Sequence, residues 1–179
     1  MALDQFARPW SGPAFRHIPA TSTFGVLDFR FAGSGATNRW NYQNSPTLYL
    51  ASDPAVCLAE FARHLREERS AQLLRGLVER TLYRLQVMLS AVLDLRESAL
   101  TAALSLSGAP HCFLDRRIAR STAEFLRRTT VAQGLFVPSM ALLDQADRWI
   151  LVLFLDKLPR ESGRFITAVD DAGRFSVEL

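Results

Sequence analysis

The chain has 179 residues, of which 49% are hydrophobic and 22% charged, the make-up of a globular protein of one domain with a core large enough to need no disulfide staples. Its longest apolar run, Trp149 to Leu155, is too short to span a bilayer, and the first residues lack the basic-then-apolar order of a signal peptide, so a cytoplasmic protein without membrane contact is expected. The net charge is +3, and Lys157 is the only lysine. Arginine is the better fork for phosphate, although a GC-rich genome produces the same bias. There is no basic block, helix-turn-helix, zinc spacing or aromatic RNA-binding stretch, so direct nucleic-acid binding is not expected. The two cysteines, Cys57 and Cys112, form no CxxC pair and read as free thiols of a reducing compartment.

In chain order, residues 1–23 hold three prolines and read as an irregular arm with a strand near Phe15 to Ile18. Weak alternation at Val26, Phe29 and Phe31 predicts a strand over 24–32, and Gly33-Ser34-Gly35 a turn. Residues 47–51 read as a short buried strand. Asp53 then caps a helix that Pro54 opens. Leu58, Phe61, Ala62 and Leu65 form its expected apolar stripe. Cys57, Glu60 and His64 share the neighbouring face, which puts Glu60 at the edge of the core. The run Arg66-Glu67-Glu68-Arg69 reads as a solvated face, and residues 71–79 as further helical turns. Tyr83, Leu85, Val87 and Leu89 alternate as a strand, with Val92 to Leu95 continuing it.

Helices are expected over 96–106 and 114–130. The second turns Ile118, Phe125 and Leu126 inward and ends at Gln133-Gly134. Leu135 to Val137 and Trp149 to Leu155 read as buried strands. Phe165 to Val169 and Arg174 to Val177 read as a hairpin about Asp170-Asp171-Ala172-Gly173. Strands scattered among helices give an α+β class.

Several motifs fail. Gly33-Ser34-Gly35-Ala36-Thr37-Asn38 lacks the third glycine of a dinucleotide loop, and no helix pattern follows it. There is no phosphate-binding loop, HExxH or GxSxG, and the three histidines are scattered. What remains is Arg39, Tyr49 and Glu60 within 22 residues. Together these are a group that holds phosphate, a ring that stacks on a base and a carboxylate that stabilises a positive sugar centre.

The pieces in order are Phe15-Arg16-His17, Phe31-Ala32-Gly33-Ser34-Gly35-Ala36, Arg39-Trp40-Asn41, Leu48-Tyr49-Leu50-Ala51, Leu58-Ala59-Glu60, Val92-Leu93-Asp94-Leu95, Gly134-Leu135-Phe136-Val137-Pro138-Ser139 and Leu151-Val152-Leu153-Phe154. This series resembles the RES domain, the toxin of Xre–RES toxin–antitoxin pairs, over roughly residues 12–158 of a single domain 1–179. Residues 159–179 are left as a C-terminal extension. The resemblance implies an ADP-ribosyltransferase-like split mixed sheet flanked by helices. It also implies cleavage of the nicotinamide–ribose bond of NAD by hydrolysis or phosphorolysis, causing growth arrest. NAD is then the substrate, and no cofactor or metal is expected. The implied partner is an Xre-family DNA-binding antitoxin that covers the site, and a homo-oligomer stays open.

On this resemblance Glu60 stabilises the oxocarbenium-like sugar, and Arg39 and Arg16 hold the pyrophosphate. Tyr49 stacks on nicotinamide with its hydroxyl facing the site. Ser139 contacts the ribose or a phosphate, and Gly35 belongs to the substrate loop. Trp40 and Asn41 are structural. Asn38 stands where the family usually has glycine, and Ile150 where many members carry asparagine. Two alternatives remain: ADP-ribosylation of a protein, and a degenerate domain that only binds a partner. Water, phosphate or protein as acceptor, and chromosomal toxin or secreted effector, are not separated by these residues.

Overall fold

The computed structural model describes residues 3–67 and 77–178. Six strands and three α-helices follow in the order β1 (Arg8–Pro19), β2 (Thr47–Ala51), α1 (Pro54–Glu67), β3 (Leu77–Asp94), α2 (Ser98–Ala103), α3 (Arg116–Thr129), β4 (Gly134–Pro138), β5 (Trp149–Phe154) and β6 (Ile166–Glu178). The class is α+β.

The sheet is mixed and split into two three-stranded parts. In one, β1 and β6 flank β3, both antiparallel to it; in the other, β2, β5 and β4 run antiparallel in that order. The parts join at two places. Val92–Asp94 of β3 pair in parallel with Gly134–Phe136 of β4, and β1 meets β2 at the single pair Phe15–Ala51. The 18-residue length of β3 makes this possible, since β6 and β4 share one of its edges end to end.

Both faces of β4 and β5 are covered, which is why they read as unbroken apolar runs. Leu135, Val137, Val152 and Phe154 pack with Phe113, Ala119, Ala123 and Leu126 of the helical side. Phe136, Leu151 and Leu153 pack on the opposite side with Leu85, Val87, Phe165 and Ile166. Gly134 enters β4 where a Cβ would come within 2.9 Å of the Val152 carbonyl oxygen, so the strands close on a bare backbone.

Several expectations change. The N-terminal arm is a strand from Arg8 onward, and its prolines are tolerated because β1 has a long partner on one edge only. Residues 24–32 form successive turns rather than a strand, closed by Asp28 N–H to Gly25 O and Ala32 N–H to Phe29 O. In α1, Val56, Cys57 and Leu65 are buried while Leu58 is exposed, so the inward face is rotated from the expected stripe. Residues 77–79 belong to β3; residues 71–76 of the expected helical turns lie outside the described residues, as do Glu68 and Arg69. Helix α2 covers only Ser98–Ala103. Phe125 is exposed on α3, and that helix ends at Thr129, whose neighbour Thr130 donates its hydroxyl to Leu126 O. Gln133 instead lies in the link to β4. The C-terminal hairpin is one strand, β6, paired along β3 with a register shift opposite Thr81–Tyr83, where Gly173 takes φ +102°.

Candidate active site

A cavity of about 630 Å³ opens where β1, β2, α1 and the 33–40 loop meet, beside the single pair that joins the two parts of the sheet. Its volume is that of pockets that enclose a cofactor-sized molecule. Arg16, Gly35, Arg39, Tyr49 and Glu60 all line it, so the sequence-predicted residues converge, with one exception described below.

Glu60 is placed by the start of its helix. Asp53 Oδ1 accepts from the N–H groups of Ala55 and Val56, and its other oxygen takes Arg148 at 2.6 Å. Two turns on, Glu60 projects from α1 toward the end of β4. Its Oε1 accepts from Ser139 Oγ at 2.7 Å and from Ala141 N–H at 2.9 Å. Its Oε2 accepts from Arg63 Nε and Nη2 at 3.2 and 3.1 Å. The carboxylate is thus held from both sides in one orientation.

Ser139 is the exception. It is fully buried, and Pro138 and Met140 rather than Ser139 line the cavity. Its hydroxyl is turned to Glu60, not outward to a ligand. Its N–H donates to Arg148 O, so the residue that clamps the cap of α1 also fixes the segment bearing Ser139.

Arg39 lies deep, with 9% of its surface exposed. Nη1 donates to the carbonyls of Phe113 and Leu114 at 2.9 and 2.8 Å, and Nη2 stands 3.6 Å from Glu67 Oε1. Its Nε is buried and has no hydrogen-bond acceptor among the described residues. Burial, and then the neighbouring Arg63 charge, pull this guanidinium below its usual pKa. Arg16 donates to Val26 O and lies over the Phe29 ring, 5.2 Å from its centre.

The Tyr49 ring lines the cavity, but its hydroxyl does not face a ligand as expected. It accepts from Trp40 N–H at 3.0 Å and donates to Asn41 Oδ1 at 2.7 Å. Burial raises its pKa, so it stays a neutral donor. Asn41 in turn donates to Gly33 O at 3.0 Å, and Trp40 packs on Phe113, so both have the structural role expected of them. Gly33 has φ +81°, and a Cβ there would come within 1.8 Å of Ser45 O, so this turn admits no other residue. At Gly35 the added atom would press on the Asn38 side chain at 3.0 Å.

Three cavity-lining residues, Arg63, Glu67 and Arg116, and Arg120, which holds the lining loop, escaped the sequence reading. Arg63 and Glu67 pair with each other, and Arg116 Nη2 reaches Glu67 Oε2 at 2.5 Å. Arg120 Nε donates to Asn38 O at 2.7 Å and Nη2 to Ala36 O at 2.6 Å, which clamps the loop before Arg39. The spacings Glu60–Arg63 and Arg63–Glu67 are those of helical ion pairs and could have been found. Arg116 and Arg120 lie 49 and 82 residues from their partners Glu67 and Asn38, and no local signal marks them. Of the two departures from the family pattern, Asn38 serves the clamp through its backbone carbonyl. Ile150 is buried in the cavity wall, in register with Ala51 and Val137.

The RES domain model matches residues 9–177, so the chain belongs to the RES domain family. The match runs through β6, well beyond residue 158. Among solved structures the chain is similar to one from the crystal structure of the M. tuberculosis MbcT–MbcA toxin–antitoxin complex, with a TM-score of 0.67 and 19% identity over 99% of this chain and 92% of that one. At that identity the likeness is one of fold. The comparison with curated proteins gave no match.

Proposed function

We propose that this RES domain is an NAD-degrading toxin that breaks the nicotinamide–ribose bond and passes the ADP-ribosyl centre to water or phosphate. The observation that carries the reading is Glu60: a carboxylate whose Oε1 is held by Ser139 and Ala141 at the wall of a cavity that also holds Arg16 and Arg39.

The bonding electrons leave with nicotinamide, which departs neutral and needs no proton. The positive charge stays on the sugar, and a fixed carboxylate stabilises it without reorganising at that moment. Ser139 serves as a positioning residue that keeps Oε1 oriented. Arg39 and Arg16 supply permanent charge for the pyrophosphate, and the Tyr49 ring gives a flat surface for the nicotinamide. The new bond forms to the sugar carbon from an oxygen of water, which releases a proton to solvent, or from an anionic oxygen of inorganic phosphate, which releases none. A protein acceptor would use the same pocket.

The fold shared with a chain of a toxin–antitoxin complex supports an antitoxin partner. We place an Xre-family DNA-binding protein in that role, covering the cavity.

The test is NAD concentration over time with purified protein, with and without phosphate. Glu60→Gln keeps the size and the Ser139 contact but removes the charge. It should slow NAD loss by about a hundred-fold or more, as loss of a transition-state charge partner does. NAD loss at the wild-type rate in this variant would remove Glu60 from the chemistry.

A further inference from the structure

Glu67, read from the sequence as part of a solvated face, is the meeting point of three guanidinium groups. Its Oε1 accepts from Arg63 and lies 3.6 Å from Arg39 Nη2, while Oε2 lies 2.5 Å from Arg116 Nη2. All four residues line the cavity. They come from three places: the loop before β2, the last turns of α1 and the first turn of α3. Among the described residues, the carboxylates paired with these three arginines are Glu67 and, through Arg63, Glu60. Three positive charges therefore face two negative ones. Arg39 adds a buried Nε–H with no acceptor among the described residues. Like charges gathered in a partly enclosed space are unfavourable unless an anion sits among them.

We propose that Glu67 is the resident counter-ion of a phosphoryl subsite, and that Arg39, Arg63 and Arg116 receive a phosphoryl group of the ligand in its place. The arrangement links two neighbouring events. When Arg63 turns to the phosphoryl group it leaves Glu60 Oε2, while Oε1 stays held by Ser139 and Ala141. Filling the charge subsite thereby frees the carboxylate oxygen that the sugar needs. The inference rests on the NAD reading only for the origin of the phosphoryl group, which is either the diphosphate of a dinucleotide or free inorganic phosphate.

Calorimetric titration with ADP-ribose and, separately, with inorganic phosphate tests it, on wild type, Glu67→Gln, Arg116→Gln and Asp170→Asn. The last makes the same charge change on β6, outside the cavity lining. Glu67→Gln should tighten the ligand that enters the subsite about ten-fold and Arg116→Gln weaken it about ten-fold, the worth of one charged hydrogen bond. Asp170→Asn should leave it unchanged. A response of ADP-ribose, with phosphate competing, assigns the subsite to the diphosphate. A response of phosphate alone, bound together with ADP-ribose, assigns it to the acceptor. ADP-ribose binding that ignores both cavity variants, with no phosphate response, overturns the subsite and leaves the NAD reading standing. A phosphate response with no ADP-ribose binding keeps the subsite and removes the dinucleotide. Tightening by Asp170→Asn equal to that by Glu67→Gln would reduce the effect to net charge and overturn the inference, as would no binding of either probe.

Discussion

At the scale of single residues, Ser139 and Tyr49 show how a side chain can belong to a site without facing its ligand. Ser139 has no exposed surface, so its effect passes through Glu60. Ser139→Ala leaves Oε1 with the Ala141 N–H alone. On the proposed activity, kcat should fall about ten-fold or more, the cost of one charged hydrogen bond, with KM nearly unchanged. Steady-state NAD consumption measures both, and a rise in KM at constant kcat would put Ser139 against the substrate after all. Position along the chain decided what was legible here. The spacing on one helix puts Glu60 at the core edge, where its side chain is 20% exposed. Its bond to Ser139 spans 79 residues, and nothing local in either segment announces it. For the same reason no local signal marks Arg116 and Arg120 of α3.

Among the elements, α1 lines the cavity and β6 packs behind its wall. Asp53 caps α1 and binds Arg148, which holds the Ser139 backbone. Asp53→Ala should cost about 1–2 kcal/mol from the cap, read as a lower urea midpoint at unchanged slope. A change below about 0.5 kcal/mol would mean that Arg148 and the cap carry no load. Strand β6 covers much of the β3 edge, and its Phe175 ring meets His17 and Phe61 behind the cavity wall, at 5.4 and 6.3 Å. Truncation after Leu158 should therefore expose an unpaired edge and give aggregated protein in size-exclusion chromatography; a monomeric, folded product would make β6 dispensable. The string Asp170-Asp171-Ala172-Gly173 reads as a turn because those residues favour one. The partner that converts it into a bulge is the unusual length of β3, which the tail's own residues cannot reveal. The strands β2, β4 and β5, by contrast, were legible because burial on both faces leaves unbroken apolar runs.

For the molecule as a whole, pH should act on stability through His17. Burial, and then the charges of Arg80, Arg16 and His64, push its pKa down from 6.5 to about 3. The neutral ring accepts from Arg80 Nε at 2.9 Å. Between those values the unfolded chain binds a proton that the folded chain refuses, so stability is full above pH 6.5 and falls as pH drops toward 3. Denaturant midpoints from pH 7 to 5, above the main carboxylate range, should fall in wild type and stay flatter in His17→Gln. Equal slopes would clear His17 of the effect.

The strand order also sets a timetable for synthesis. Arg16 is fixed by β1, whose long partner is β3, in the register Arg16–Tyr83. Glu60 awaits Ser139, and Ser139 awaits the β4–β5 pair. At about 5–20 residues per second, the segment from Glu60 to Phe154 takes on the order of ten seconds to be made. Throughout that interval Glu60 lacks the contacts of Ser139 and Ala141. The Glu60–Ser139 contact therefore waits until β5 has been made.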